Sequence, residues 1–420
     1  MVQIVLKNSL GRVKSTYNEY PRHFWYLMGS SFIDALGGAL LFPFFALYVT
    51  RTFGIGLSQV GLIFASLTIT NIIGSTVGGG LADRFGRKSM VIFGLVASAL
   101  SVLVLGFVKE LASFVPLILV AGLTGNIGGP ARSAMVADIL PEEKRAGGFG
   151  LHRVIHNLAY VIGPALGGLL AAHSYLYLFI LDTVASLIAA LAFFMLLPET
   201  KPEQEAGQVE ESMAQTFKGY GRVLSDRFFI FFLVATMLMV LVYSQFQGPL
   251  AVYLRDVYGL PEQLFGWILS LNAGMVVLFQ FAISRRAEAH PPFLILALGT
   301  LFLALGFGMY GYVSTYIWFL VAMAIITIGE MLTAPVGQAI AAKLSPEHMR
   351  GRYMAFYGFA WMVPGAIGMY LSGLNMDNFD PRWIWYSAGF VGIVAALAFL
   401  GMHVQQRQES ELDPIVEPTT

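Results

Sequence analysis

Three carboxylates stand inside long apolar runs: Asp34 in SSFIDALGG, Asp182 in LFILDTVAS and Glu330 in TIGEMLTAP. A charge held in hydrocarbon costs about 3 kcal/mol or more, so an ionisable group kept there is read first as functional. A carboxyl in apolar surroundings can take and release a proton near neutral pH. Its ionised form attracts a cation, which suits exchange of a proton for a substrate. Asp34, Glu330 and Asp182 are therefore the candidate proton-coupling and substrate residues. His152 and His156 lie one helical turn apart beside Arg153. Their spacing would suit two metal ligands, but no third ligand accompanies them, and an interfacial or pH-sensitive gating role fits better. Tyr243, Phe246, Gln247, Tyr357 and Trp361 are candidates for an apolar pocket wall. With two acids and no central basic residue, such a wall suits an amphipathic cation.

The elements that carry these residues must live in lipid. The chain has 420 residues, 57% of them hydrophobic and 12% charged, against about 25% charged in a soluble domain. A larger core would not remove surface charge, so the missing charge implies an apolar solvent. The 45 glycines suit helices that pack through small side chains. A net charge of zero argues against a nucleic-acid partner, and the lack of cysteine excludes disulfides and thiolate metal sites. The polar start, with Lys7, Arg12, Lys14 and Arg22, precedes an apolar run too long for a cleavable signal.

A window of about 20 apolar residues per span predicts helices near 24–50, 58–80, 89–108, 112–137, 147–172 and 176–197. Six more follow near 227–254, 263–284, 292–313, 315–342, 352–374 and 383–402. The expected organisation is an N-terminal segment 1–22, a bundle 23–197, a polar linker 198–226, a second bundle 227–402 and a disordered tail 403–420. Of the 25 Lys and Arg, only Arg51, Lys109, Arg255 and Arg382 fall on the side away from the N-terminus, with Arg132 and Arg153 inside spans. The positive-inside rule then puts both termini in the cytoplasm.

The two halves match at a constant offset of 205 residues. Ala46, Tyr48, Gly54 and Gly61 recur as Ala251, Tyr253, Gly259 and Gly266, and Pro130, Pro141 and Arg145 as Pro335, Pro346 and Arg350. Gly94, Gly163 and Gly168 recur as Gly299, Gly368 and Gly373. The expected fold is all-α: twelve transmembrane helices in two pseudo-symmetric six-helix bundles. The partners of Asp34, Glu330 and Asp182 are Met239, Gly125 and Ser387. The shared scaffold therefore did not impose these acids.

The loop GGGLADRFGRKSM, with Gly79, Asp83, Arg84, Gly86, Arg87 and Lys88, resembles the signature loop of the major facilitator superfamily. VIGPALGG, with Gly163, Pro164, Gly167 and Gly168, is similar to the span-5 motif of its drug:proton antiporter families, without that motif's leading Gly. The resemblance implies a cytoplasmic gate in which Asp83 caps the start of span 11 and the later Arg pairs with Asp138. The span-4 arginine that such antiporters carry early is absent, its position being Ile118. Arg132, nearer the cytoplasmic end, is read as part of the same charge lock with Asp138.

The resulting expectation is a monomeric secondary transporter of the inner or plasma membrane, not an enzyme. It would be driven by a proton gradient without a cofactor, and its partners would be a small-molecule substrate, protons and lipid. It would export lipophilic or cationic compounds by alternating access. A nutrient or sugar facilitator, or a carrier of a lipid-like or metal substrate, is the alternative. GxxxxGK[ST] is absent, so ATP is not the direct energy source.

Overall fold

The computed structural model of the chain describes residues 19–201, 222–246, 248–346 and 349–412, and the regular structure among them is helical. In chain order the helices are α1 (Arg22–Leu41), α2 (Phe45–Phe53), α3 (Leu57–Phe85), α4 (Arg87–Phe107), α5 (Leu111–Gly125), α6 (Gly129–Ile139), α7 (Glu142–Ala171) and α8 (Tyr175–Leu196). They continue with α9 (Arg227–Tyr243), α10 (Pro249–Tyr258), α11 (Glu262–Ala287), α12 (Pro292–Met309), α13 (Tyr316–Leu344), α14 (Arg350–Asn378) and α15 (Trp383–Leu412). Among the described residues, eleven stretches are long and apolar enough to cross a membrane. The predicted eleventh span falls on α14, a 29-residue helix that is not one of the eleven. Leu278 (72%), Phe281 (79%) and Phe390 (70%) are exposed on the protein surface, which only an apolar solvent tolerates in such numbers.

Three predicted single helices are interrupted. The first span passes from α1 through a 3-10 turn at Phe42–Phe44 into α2, where Pro43 has no N–H to continue the ladder. The seventh has the same form, with a 3-10 turn at Ser244–Phe246 between α9 and α10. Both second segments stop at a left-handed glycine, Gly54 and Gly259, each with φ +63°. The 205-residue repeat is thus visible in the backbone. The fourth span is broken between α5 and α6 at Asn126–Gly128. Glycines of the neighbouring helices face this break. A Cβ on Gly78 would lie 2.0 Å from the Ile127 carbonyl oxygen, and one on Gly94 would lie 2.9 Å from the Gly128 nitrogen.

The described residues form two compact units, one within Met1–Phe42 and Ser66–Gln204, the other within Pro43–Ala65 and Glu205–Thr420. In the first, α1 packs on α7 and α8, and α4 on α5, α6 and α8. In the second, α9 packs on α14 and α15, and α12 on α13 and α15. The packing order repeats with the sequence. Residues 43–65, assigned from sequence to the first bundle, cluster with the second unit. There Asp377 accepts the Leu57 and Ser58 N–H groups, each at 3.0 Å, at the start of α3. Gly373 and Gly61 supply the close approach: a Cβ on Gly373 would meet the Ser58 nitrogen at 2.1 Å. The expected disordered tail begins as helix, since α15 continues to Leu412. Its end, HVQQRQESEL, contains good helix formers and no Gly or Pro. The interior of the predicted linker lies outside the described residues.

Candidate functional site

Within the first unit, α1 is gripped from two sides by glycine contacts. A Cβ on Gly37 would lie 2.8 Å from Asp182 Oδ1 and 2.9 Å from Ala185 Cβ. On the other side, a Cβ on Gly163 of α7 would lie 2.5 Å from Ala39 Cβ. Gly163, Pro164, Gly167 and Gly168 are all buried, and Pro164 lies inside an unbroken α7. The VIGPALGG segment therefore works here as a packing face that brings α7 onto α1.

This close packing puts Asp34 within reach of three other helices. Ser186 of α8 donates to Asp34 Oδ1 at 2.9 Å. Arg132 Nη1 of α6 donates to Asp34 Oδ2, also at 2.9 Å. The two side chains of this ion pair are 23% and 20% exposed, so both are largely withdrawn from solvent while remaining reachable. The Arg132 guanidinium lies 5.7 Å from the centre of the Phe193 ring. Asp182, one turn before Ser186 on α8, is 8% exposed and sits against Gly37. The pair opens on a cavity of about 250 Å³ lined also by Ser31, Ser98, Asn126, Ser133, His152 and His156. Ser31 Oγ and Arg132 Nε are buried there with no protein partner. An ion pair and two imidazoles around one polar cavity can bind and pass protons.

The structure corrects the expected partner of Arg132. It pairs with Asp34 and not with Asp138, whose carboxylate is bonded by Arg87. Glu330 lies apart from this cluster in the second unit. Asn272 of α11 donates to its Oε2 at 2.8 Å and to Thr327 Oγ1 at 3.0 Å. Each of the two acids is thus hydrogen-bonded inside its own unit.

In the signature loop Gly86 adopts φ +99°, a conformation that favours glycine. A Cβ there would also strike Glu199 Oε2 at 2.4 Å. Glu199 accepts from the backbone N–H of Arg87 at 2.8 Å, Lys88 at 3.2 Å, Thr200 at 3.0 Å and Lys201 at 3.1 Å. Burial pushes its carboxyl up, but these backbone bonds outweigh burial and hold it below the usual range. Lys88 Nζ donates to the Phe194 carbonyl at 2.8 Å, and Arg84 lies 5.4 Å from the Phe85 ring centre. A Cβ on Gly79 would meet the Pro130 Cβ at 3.8 Å, an ordinary contact. The Asp83 side chain, expected to cap the start of span 11, lies outside the described residues.

The aromatic residues separate into two roles. Tyr243 stacks on Phe246 at 5.8 Å and meets Trp361 edge-on at 6.1 Å, and all three are half-buried. Tyr357 is 7% exposed and stacks on Phe232 at 6.0 Å, which makes it a packing residue. Gln247 lies outside the described residues. Sequence reasoning missed Ser31, Ser98, Asn126 and Ser186, which are common residue types in membrane helices. Only the Asp182–Ser186 spacing of one turn signalled a shared face. It also missed Glu199, whose role depends on the fold of the loop it caps.

The family model of the Major Facilitator Superfamily matches residues 27–335 and 245–418. A Na(+), Li(+), K(+)/H(+) antiporter of Planococcus maritimus is 28% identical over 384 residues, 84% of this chain and 88% of that protein. Multidrug resistance protein MdtH of Shigella flexneri is 25% identical over 392 residues, 91% of this chain and 94% of that protein. The crystal structure of a POT family transporter in complex with 5-aminolevulinic acid superposes with a TM-score of 0.77 at 17% identity. The match covers 92% of this chain and 96% of that one, a likeness of fold. A chain with eleven membrane-length helical stretches among its described residues, matched along almost its whole length by that model, belongs to the Major Facilitator Superfamily.

Proposed function

We propose that this chain is a proton-coupled antiporter that exports lipophilic cationic compounds by alternating access, with twelve spans and both termini in the cytoplasm. The observation that carries the reading is the Asp34–Arg132 ion pair, placed in membrane-spanning helices and opening on a polar cavity. Ionised Asp34 holds the guanidinium. Protonated Asp34 loses its charge and lets the guanidinium go, while Ser186 still satisfies one carboxyl oxygen. Two protonation states thus correspond to two arrangements of α1 against α6, and a ligand that favours one of them is coupled to the proton. Asp182 stands next to the pair as a second proton acceptor. The half-buried Tyr243, Phe246 and Trp361 offer ring faces to an organic cation, and Glu330 supplies a negative charge in the same unit. The signature loop and Glu199 serve the gate. The similarity to a multidrug resistance protein and to a cation/proton antiporter supports the same reading.

A second reading is exchange of alkali cations for protons. It is favoured by the cavity lining, where the hydroxyls of Ser31, Ser98 and Ser133, the Asn126 amide and the Asp34 carboxylate supply oxygen atoms suited to hard cations. One experiment separates the two. The protein is reconstituted in liposomes with an entrapped pH dye and challenged with ethidium or with NaCl under an imposed pH gradient. Proton movement on ethidium addition supports the first reading. Movement on Na+ addition alone replaces it with the second, and movement with neither ligand contradicts both.

A further inference from the structure

We infer that His156 is the proton-relay residue for Asp34, carrying protons between the surface of the first unit and the Asp34–Arg132 pair. The inference rests on the proton-coupled reading above and adds the route by which the proton arrives. His152 and His156 occupy successive turns of α7, and both line the cavity that holds the ion pair. His156 is exposed whereas His152 is only partly so, so of the two cavity-lining rings it is the more accessible. Tyr160 lies one turn further along the helix, its ring centre 5.3 Å from that of His156, and steadies the imidazole.

The charged and titratable groups around the ring come from every helix packed on α7. Asp34 of α1 and Arg132 of α6 both act on it electrostatically. Asp182 of α8 interacts electrostatically with Asp34, and His152, Arg153 and Tyr160 share the ring's own helix. Both imidazoles line the one cavity, and Asp34 acts on His156. Because Asp34 and Arg132 neutralise each other, the ring faces an ion pair rather than a lone charge. A cavity of about 250 Å³ has room for several waters, each taking about 30 Å³ in the liquid. Ser31 Oγ and Arg132 Nε, buried without protein partners, supply polar anchors for them. In the transfer, the imidazolium of His156 gives its proton through water to the Asp34 carboxylate. The ring becomes neutral and is recharged from solvent. No oxidant or second reactant is needed.

The test requires no transported substrate. The full-length protein in lipid is followed by time-resolved infrared spectroscopy after a pH jump, reading the C=O band of the protonated carboxyl. The Asp34 contribution is identified as the part of the band lost in Asp34→Asn. In the wild type its rate should be independent of buffer concentration. In His156→Gln it should fall by about tenfold or more, within the range known for positioned acid–base groups. It should then rise with added buffer, because small buffer molecules replace the missing shuttle. His152→Gln should stay within about twofold of wild type on the same scale. A purely structural role for His156 would change the amplitude but leave the rate insensitive to buffer, and that result overturns the relay. A His156→Gln rate equal to wild type does so as well. If Asp34→Asn removes no part of the band, the proton-coupling reading itself fails, a result distinct from either of these.

Discussion

At the residue scale, Asp34 and Arg132 are each other's counter-ions, and removing one leaves the other charged in a largely apolar place. Breaking a fully buried pair costs about 3–5 kcal/mol. Both side chains here are about one-fifth exposed, so the loss for Asp34→Asn or Arg132→Gln should be nearer 2 kcal/mol. The double variant should lose less than the two single losses added, because neither charge is then orphaned. Thermal unfolding midpoints in detergent at one scan rate read this directly, and strictly additive shifts would show that the two groups act independently. The acids were legible in the sequence because charge in an apolar run stands out. The partner of Arg132 was not. Asp138 is near in sequence, but six positions along a helix at 3.6 residues per turn turn a side chain to a different face. Asp34, 98 residues away, becomes its neighbour only through the packing of α1.

At the element scale, two adjacent glycines in α1 carry opposite expectations. Gly37 is in tight contact with α8, whereas a Cβ on Gly38 would meet nothing within 4 Å. Gly37→Val should push α1 from α8, break the Ser186–Asp34 bond and cost about 1–3 kcal/mol as overpacking. Gly38→Ala should be neutral or stabilise the helix by up to about 1 kcal/mol. Expression level and thermal midpoint of the two variants check this, and equal effects would contradict the packing described. The helices themselves were legible from apolar length, and their repeat from the 205-residue offset. The break at Phe42–Phe44 was not. Pro116, Pro164, Pro335 and Pro364 lie inside unbroken helices, so proline alone does not decide. At Asn126–Gly128 the local run GNIGGP is a helix-breaking pattern, and Gly78 and Gly94 of neighbouring helices come close to the break.

At the scale of the whole molecule, the repeat in sequence reappears as a repeat in packing, yet among the described residues the charged cluster lies in the first unit. Asp34, Arg132 and Asp182 have no ionisable counterparts at the matching positions Met239, Gly337 and Ser387. A scaffold duplicated for its shape thus carries Asp34, Arg132 and Asp182 in one copy and Glu330 with Tyr243, Phe246 and Trp361 in the other. Coupling then requires that protonation in the first unit alter what the second unit binds. The most direct test is Asp34→Asn in proteoliposomes, comparing ethidium accumulation against its gradient with equilibration down it. The amide mimics a permanently protonated carboxyl, so the carrier can rearrange but cannot respond to pH. Uphill accumulation should fall by about tenfold or more, while downhill equilibration stays within about threefold of wild type. A variant that still concentrates ethidium as strongly as wild type under the same pH gradient would contradict the account.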